Sequence, residues 1–347
     1  MKNEAQADGL LYAFETLRKM FVLVVKSLYN YRVLNPVQES FADALFIMSL
    51  TPQSRDKTTR IHDVTDFNLS HTLESAQSFR WNACDGWYYG VVEGCLLKIR
   101  QDGQMLMLAS SVEGDPECLT TYLRHYLDLD RDLPAILQAV DIDACIHEAI
   151  ENFWGMRLLN QELWECLASY IISQNNNVPR IKGIIQRLSA RFGEKIGLDN
   201  YIDYSFPSPQ ALAEAGVNAL LECGAGYRAP YLWEVSTEIV AGTINLENLS
   251  RMSYPLAKRE LMQLKGIGEK VADCICLFSL GHLEALPVDV WMKRIIEHVY
   301  FGRKASIREI REFGEGYFGE NIGYAQQYLF HYARTFGLKR MIQNPHL

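Results

Sequence analysis

Lys270 and Asp289 are the residues of this chain whose types and setting best suit covalent chemistry. Lys270 follows the glycine-containing segment 264–269 (LKGIGE), and Asp289 lies in the segment 287–290 (PVDV). An amine near a helix N-terminus, partly removed from water, is expected to have a lowered pKa and to act as a nucleophile. A nearby carboxylate can stabilise a cationic sugar or transfer a proton. The pair therefore predicts nucleophilic chemistry.

Each of these two residues also has an ordinary structural interpretation. Lys270 can be a solvated lysine in the first turn of a helix, although its charge there opposes the positive end of the helix dipole. Asp289 precedes a predicted helix and can serve as its N-cap. The cap and the catalytic role are compatible, because a cap fixes the carboxylate and is expected to keep it ionised.

The glycines of the segment before Lys270, Gly266 and Gly268, predict how the lysine is positioned. An L-x-G-x-G turn that opens a helix is typical of a helix-hairpin-helix, here at about residues 257–280. Glycines allow a tight turn and a close approach to a phosphate, and the helix N-terminus offers it free N–H groups. The hairpin therefore predicts binding to a nucleic acid backbone, a function that requires neither Lys270 nor Asp289.

Six separated segments, taken together in this order, resemble the helix-hairpin-helix DNA glycosylase superfamily and, within it, the 8-oxoguanine DNA glycosylases. The resemblance covers about residues 66–340. Its segments are 77–81 (QSFRW), 175–177 (NNN), 226–229 (GYRA), the hairpin with 271–276 (VADCIC), 287–290 (PVDV) and 325–330 (AQQYLF). The resemblance implies an α+β fold in which an N-terminal antiparallel β-sheet subdomain, TBP-like, packs on a larger α-helical HhH-GPD bundle.

The resemblance also implies the activity and the roles of the two residues above. In the family, the lysine that matches Lys270 attacks the anomeric carbon, expels the base and holds the sugar as a Schiff base, from which β-elimination cuts the strand. Asp289 matches the catalytic aspartate. The expected function is a bifunctional glycosylase and lyase acting on duplex DNA that contains 8-oxoguanine. The alternatives are a glycosylase for alkylated or other oxidised purines and a non-catalytic DNA-binding protein.

Recognition of the damaged base is expected to involve four residues, because an enzyme reaches a base only after extruding it from the stack. By resemblance, Phe330 and Cys274 form the two faces of a sandwich around the base, and Gln326 reads its Watson–Crick edge. The family uses a glycine carbonyl to accept the N–H that distinguishes 8-oxoguanine from guanine, and Ala76 stands at that position. A positive φ at Ala76 would cost about 1 kcal/mol.

The partner base on the opposite strand is expected to meet a second group of residues. Asn175, Arg180, Tyr227 and Arg228 match the family residues around it. Asparagine and arginine can donate to the acceptors of an unpaired cytosine, and tyrosine can fill the space that the extruded base leaves. A helix-end asparagine cluster with ordinary surface arginines is the structural alternative. The resemblance favours cytosine opposite the lesion.

Trp291 departs from the family pattern. Better-known members have a histidine at this position, which contacts a phosphate beside the lesion, and an acidic partner for it where this chain has Ala333. The indole N–H donates one hydrogen bond and carries no charge. Contacts with the phosphates that flank the lesion are therefore expected to be organised differently here.

Composition and charge place few limits on the predicted function. The net charge of −8 argues mildly against a nucleic-acid partner, but residues 251–340 hold 14 Lys and Arg against 10 Asp and Glu. The 8 cysteines include no Cys-x-x-Cys pair and none follows Cys276, which excludes the iron–sulfur cluster of some relatives and leaves no metal site. We expect no organic cofactor. A monovalent cation on the hairpin backbone carbonyls at 264–267 is compatible with the sequence.

The chain is expected to divide into three parts. Residues 1–60 form a helical extension of unknown role, in which Leu10, Phe14, Leu17, Phe21, Val24 and Leu28 define one helix face. It can bind a partner, pack on its own domain, or reflect a misassigned start codon. Residues 61–128 form the β subdomain and 129–340 the helix-hairpin-helix domain. No apolar run is long enough to cross a bilayer and no secretory signal is evident. We therefore expect the protein in the cytoplasm, nucleoid-associated if bacterial, or in the nucleus. We also expect it to be a monomer.

Strand signals precede helix signals along the chain. Trp87–Val92 and 95–99 are separated by Glu93-Gly94, and further Asp-Gly turns flank them, which predicts an antiparallel meander between about 61 and 111. Helices are predicted at 116–127, 143–153, 163–173, 178–192, 209–215, 229–241, 257–263, 269–279, 290–300, 307–318 and 324–336.

Overall fold

The structure is a computed structural model that describes residues 58–112 and 114–342. The helices predicted in the first 50 residues lie outside this part of the chain. Within it, an N-terminal sheet precedes a large helical body, as the sequence predicts. No helix among the described residues has the length and apolar character needed to cross a membrane.

The N-terminal sheet has five strands in the order β1-β5-β4-β3-β2, all antiparallel. The predicted meander is confirmed, and Gly86, Gly94 and Gly103 adopt positive φ at its turns. The sheet begins at Thr59, just before the boundary predicted at residue 61. The strands are β1 (Thr59–Ile61), β2 (Asn82–Cys84), β3 (Trp87–Val92), β4 (Cys95–Asp102) and β5 (Met105–Ser110).

Two helices cover the sheet and close a core with it. They are α1 (Leu69–Glu74) and α2 (Pro116–Tyr126), and each begins at an aspartate or asparagine whose side chain accepts a backbone N–H. Leu97, Ile99, Leu106 and Leu108 of the sheet are buried in the same cluster as Leu123 of α2. Because successive side chains of a strand point to opposite faces, these alternate residues direct one face of the sheet onto the two helices.

The helical body contains the remaining helices, packed around a second and larger core. They are α3 (Leu133–Val140), α4 (Ala144–Asn152), α5 (Leu163–Ser173), α6 (Val178–Phe192), α7 (Pro209–Glu222), α8 (Ala229–Val240), α9 (Leu246–Leu249), α10 (Tyr254–Leu261), α11 (Glu269–Phe278), α12 (Val290–Ile295), α13 (Ile307–Phe318), α14 (Ile322–Phe336) and α15 (Leu338–Ile342). A π-helical turn, Ile296–Tyr300, continues α12.

Some elements of the structure are not predicted from the sequence, and one helix is longer than predicted. Helix α3 is not among the predicted helices, although its Asp132 N-cap followed by Leu-Pro is a helix-start signal in the sequence. Helix α7 was predicted to end at 215 but continues past Gly216, whose φ of +72° breaks its regularity. A hairpin of β6 (Lys195–Leu198) and β7 (Tyr201–Tyr204) packs on β4 of the N-terminal sheet, and its internal Gly197 conceals the strand pattern.

Candidate active site

The hairpin between α10 and α11 uses its two glycines differently. Gly266 has φ of +84°, and a Cβ there would lie 2.5 Å from Cγ of Tyr231, so the fold itself requires glycine. Gly268 has an extended backbone (φ −93°, ψ 178°), is exposed, and has no atom within 4 Å of an added Cβ. The space beside Gly268, at the start of α11, therefore leaves the backbone N–H groups open to a ligand such as a phosphate.

A buried ion-pair cluster fixes α11 within the hairpin. The Asp273 carboxylate is fully buried and accepts from Lys258 Nζ at 2.9 Å, Tyr254 OH at 2.7 Å and Arg311 Nη2 at 2.5 Å. These partners come from α10 and α13, so the cluster joins three helices. Because a buried carboxylate is costly unless it is paired, the cluster strongly favours one orientation of α11, the helix that carries Lys270.

Lys270 and Asp289 lie at one cavity of about 360 Å³, a volume in the range of small-ligand pockets. The cavity brings together predicted site residues from separated parts of the chain: Ala76, Lys270, Cys274, Asp289, Trp291, Gln326 and Phe330. The Lys270 Nζ lies 5.3 Å from the ring centre of Tyr170. No carboxylate of the described residues forms an ion pair with Lys270.

Asp289 is the N-cap of α12, as predicted. Its Oδ1 accepts the backbone N–H of Met292 at 2.8 Å. The cap N–H favours the ionised carboxylate, as expected, but the net pKa of Asp289 is raised above the ordinary value of an aspartate. Burial is the main cause, and it outweighs the lowering effects of the Met292 N–H, the Lys270 ammonium and the Arg334 guanidinium.

The side chains predicted to read the damaged base line this cavity. Gln326 is buried in the cavity wall, and its Oε1 has no hydrogen-bond partner among the described residues. A buried amide oxygen without a partner is costly, and a donor on a base edge would satisfy it. Phe330 and Cys274 line the same cavity, and burial raises the pKa of the Cys274 thiol to about 12, so it stays protonated.

Ala76 lines the cavity and has a φ of +62°. The left-handed conformation considered from the sequence is therefore present. An L-residue with a Cβ pays about 1 kcal/mol for this conformation, which glycine would adopt freely. Contacts with the surrounding residues must therefore stabilise the left-handed conformation of Ala76.

The residues predicted to meet the partner base lie beside the hairpin turn, outside the cavity lining. Asn175 Nδ2 donates to the Tyr227 hydroxyl at 3.0 Å, and Tyr227 is 50% exposed. The adjacent Gln174 donates from Nε2 to the Gly266 carbonyl at 2.8 Å and so joins this group to the hairpin. Arg180 is exposed, and no described residue pairs with its guanidinium. Asn175, Tyr227 and Arg180 thus present polar groups at the surface.

Arg228 departs from the expectation of a free donor. It is only 2% exposed, and its guanidinium carbon lies over the Tyr227 ring, 4.4 Å from the ring centre. Its Nε donates to the Gln174 carbonyl at 2.8 Å, and its Nη2 donates to the Asn175 carbonyl at 3.1 Å. In this structure Arg228 supports the loop that carries Asn175 and does not offer its donors to a base.

Sequence reasoning missed Arg334, which also lines the cavity. Its guanidinium carbon lies 5.4 Å from the ring centre of Phe330, and no described residue forms a hydrogen bond or an ion pair with it. Gln326, Phe330 and Arg334 are spaced four residues apart on α14, so helical periodicity could have found it. Trp291 lines the same cavity without a charge, and the basic side chains of the described lining are Lys270 and Arg334.

Most of this chain is similar to known protein families and to solved structures. Residues 61–167 match the family of 8-oxoguanine DNA glycosylase N-terminal domains, and residues 168–318 match the HhH-GPD superfamily of base excision DNA repair proteins. A protein of Methanothermobacter thermautotrophicus described as a probable N-glycosylase/DNA lyase is 31% identical over 301 residues, which cover 79% of this chain and 96% of the relative. The N-glycosylase/DNA lyase of Saccharomyces cerevisiae is 32% identical, over 70% of this chain and 71% of its own length.

A solved structure is similar over nearly its whole length. The 8-oxoguanine glycosylase/lyase of Clostridium acetobutylicum, in complex with double-stranded DNA containing cytosine opposite 8-oxoguanine, has a TM-score of 0.76 and 33% identity to this chain. The match covers 81% of this chain and 97% of that one.

Proposed function

The chain belongs to the N-glycosylase/DNA lyase family of 8-oxoguanine DNA glycosylases, and we propose that it excises 8-oxoguanine from duplex DNA through a Schiff base on Lys270. It is a base-excision repair enzyme with glycosylase and DNA lyase activities. The observation that carries the assignment of its residues is the single cavity shared by Lys270, Asp289 and Gln326.

The proposed chemistry uses side chains of this chain at each step. The Lys270 Nζ lone pair attacks C1′, and the bond between C1′ and N9 of the base breaks, so that the base leaves with the bonding electrons and takes up a proton. The sugar ring opens as nitrogen and C1′ form an imine. Loss of a proton from C2′ then expels the 3′ phosphate by β-elimination. The Asp289 carboxylate stabilises positive charge on the sugar and transfers protons.

The proposed roles of the cavity residues extend to the choice of base. We propose that Gln326 Oε1 accepts from the Watson–Crick edge of the extruded base, whose ring lies between Phe330 and Cys274. The carbonyl of Ala76 accepts the N–H that 8-oxoguanine has and guanine lacks. An alkylated purine would not require this arrangement, and a protein that only binds DNA would not require Lys270.

An excision assay with 8-oxoguanine placed opposite each of the four normal bases tests this function. The expected result is excision that is fastest opposite cytosine, with a covalent protein–DNA adduct when borohydride is present. Absence of both excision and adduct with every duplex would refute the proposal.

Replacing Arg180 by alanine is expected to weaken the preference for cytosine more than it weakens excision opposite cytosine. An arginine contact with a base edge is worth about 1–3 kcal/mol of discrimination, and the free Arg180 guanidinium can provide it. The measurement compares excision rates opposite the four bases. Equal losses opposite all four would show that Arg180 binds the phosphate backbone instead. Arg228 is unsuitable for this test, because its removal would also release the Asn175 loop.

Replacing Arg334 by glutamine is expected to reduce the salt dependence of DNA binding. An unpaired guanidinium at the cavity rim suits a phosphate beside the extruded nucleotide, and each such contact adds about 1 to the slope of log Kd against log salt. Lys339→Gln, which removes an exposed charge outside the cavity lining, is the matched control and should change the slope less. An unchanged slope in Arg334→Gln would contradict the phosphate contact.

We propose that the reaction needs no organic cofactor. The carbonyls of Leu264 and Gly266 accept hydrogen bonds from Ile267 N at 3.1 Å and Gln174 Nε2 at 2.8 Å, and the second lone pair of each can bind a monovalent cation. No step above depends on that cation. A DNA substrate places the enzyme in the compartment of the chromosome: the cytoplasm of a bacterial cell, in association with the nucleoid, or the nucleus of a eukaryotic one. We expect it to act as a monomer.

A further inference from the structure

The loop that carries Ala76 is held by buried hydrogen bonds on both sides of this residue. Ser75 and Gln77 are at most 1% exposed. Ser75 Oγ donates to the Thr72 carbonyl at 3.0 Å, and Gln77 Nε2 donates to the same carbonyl at 3.0 Å and to the Arg157 carbonyl at 2.8 Å. Gln77 Oε1 accepts from Leu159 N at 2.8 Å. The residues on both sides of Ala76 are therefore fixed to the protein interior.

Side chains from outside the loop hold the two carbonyls that flank Ala76. Gln327 Nε2 donates to the Ser75 carbonyl at 2.9 Å. The Gln77 carbonyl accepts from the Tyr170 hydroxyl at 3.0 Å and from Gln161 Nε2 at 2.8 Å. Gln327 and Tyr170 are both buried, and both reach the cavity wall. The peptide groups of Ala76 thus lie between anchors on two different helices, α14 and α5.

We propose that Gln327 and Tyr170 are positioning residues that hold Ala76 in its left-handed conformation and thereby set how strongly the enzyme distinguishes 8-oxoguanine from guanine. The proposal rests on the proposed function, which places the Ala76 carbonyl against the base. Alanine at φ +62° tends to relax toward negative φ, and such a rotation would turn the carbonyl away from the base. The two anchors oppose that rotation.

The position of Gln327 adds a second consequence. It directly follows Gln326, so one turn of α14 holds both the reader of the Watson–Crick edge and the anchor of the recognition loop. The distance between Gln326 and Ala76 across the cavity is therefore fixed by the Gln327 contact. A base must satisfy both groups at once, which is the geometric basis of selectivity.

The test uses Gln327→Met and Tyr170→Phe, which remove the hydrogen bonds and keep side chains of similar volume. Two reactions are compared in the full chain: excision of 8-oxoguanine opposite cytosine, and borohydride trapping on a duplex with an abasic site, which presents no base to recognise. In Gln327→Met, excision is expected to fall about tenfold more than trapping, because a neutral hydrogen bond is worth up to about tenfold. In Tyr170→Phe the selective loss should be smaller, because Gln161 still donates to the Gln77 carbonyl. Competition by undamaged guanine duplex should rise in parallel.

Tyr328→Phe is the matched control. Tyr328 is a buried tyrosine on α14 whose hydroxyl donates to the Met156 carbonyl at 2.8 Å, outside the cavity lining. Loss of the Tyr328 hydroxyl should leave the ratio of excision to trapping at the wild-type value. Thermal melting of all three variants measures any general loss of stability.

A second substitution identifies the mechanism. Adding Ala76→Gly to Gln327→Met should restore the ratio to within about threefold of wild type, because glycine adopts positive φ without strain. Parallel loss of excision and trapping, an unchanged ratio, or a selective loss that Ala76→Gly does not repair would each overturn the proposal. Failure of the wild-type enzyme to excise 8-oxoguanine would refute the proposed function instead. The two failures are distinguishable, because this one is measured on the wild type and not on the variants.

Discussion

Lys270→Gln is expected to abolish base excision and borohydride trapping together. The substitution removes the nucleophilic nitrogen and keeps a polar side chain of similar length, so lesion binding should stay within about 1 kcal/mol of wild type. Among the described residues, Lys270 is the one lysine that lines the cavity. Single-turnover excision, trapping on abasic DNA and equilibrium binding measure the three quantities.

Lys265→Gln is the control for this experiment. Lys265 lies in the same hairpin, but it is exposed, forms an ion pair with Glu234 at 2.8 Å and does not line the cavity. That variant should retain trapping. Robust adduct formation by Lys270→Gln would show that another amine attacks the sugar and would reject the assignment.

The parts of the site that short motifs encode were predictable from the sequence. The hairpin glycines, Lys270 and the Asp289 cap each depend on a few consecutive residues, and the structure shows the turn and the cap as expected. Gln326 and Phe330 share a helix, so their common face follows from helical periodicity. The sheet-then-helices order likewise follows from local patterns along the chain.

Properties that depend on distant segments were not predictable. The buried state of Arg228 results from two carbonyls more than 50 residues away in sequence. The anchors of Ala76 come from α5 and α14, which no local pattern connects to residue 76. The β6–β7 hairpin forms against a sheet that precedes it by about a hundred residues. Burial and pairing of this kind appear only when the chain is folded.

The pKa of Asp289 shows how such burial alters the chemistry. A cap and a nearby lysine, which the sequence suggested, both favour the ionised carboxylate. In the structure the carboxyl is also desolvated, and this desolvation raises the pKa of Asp289 by more than the cap and the lysine lower it. Excision should therefore decline, as pH falls, at a higher pH than an ordinary aspartate would give.

Asp289→Asn is expected to slow excision by about 10²-fold or more, because a neutral amide cannot supply the charge or the basicity of the carboxylate. Asparagine is as good an N-cap as aspartate, so the fold of α12 should be retained. Since the folded-state pKa of Asp289 is raised, the stability that the group contributes is present below its unfolded pKa and is lost as pH rises through the folded pKa.

The Asp289→Asn variant does not ionise, so its Tm should exceed that of wild type at pH 7, and the difference should shrink as both are acidified toward pH ~4, the range of an unperturbed aspartate. Single-turnover rates and thermal melts across that pH range test both effects on the same preparations. Near-normal turnover would mean that Asp289 is only a helix cap. A lower Tm than wild type at pH 7 would mean that attraction to Lys270 and Arg334 outweighs the cost of burying the carboxylate.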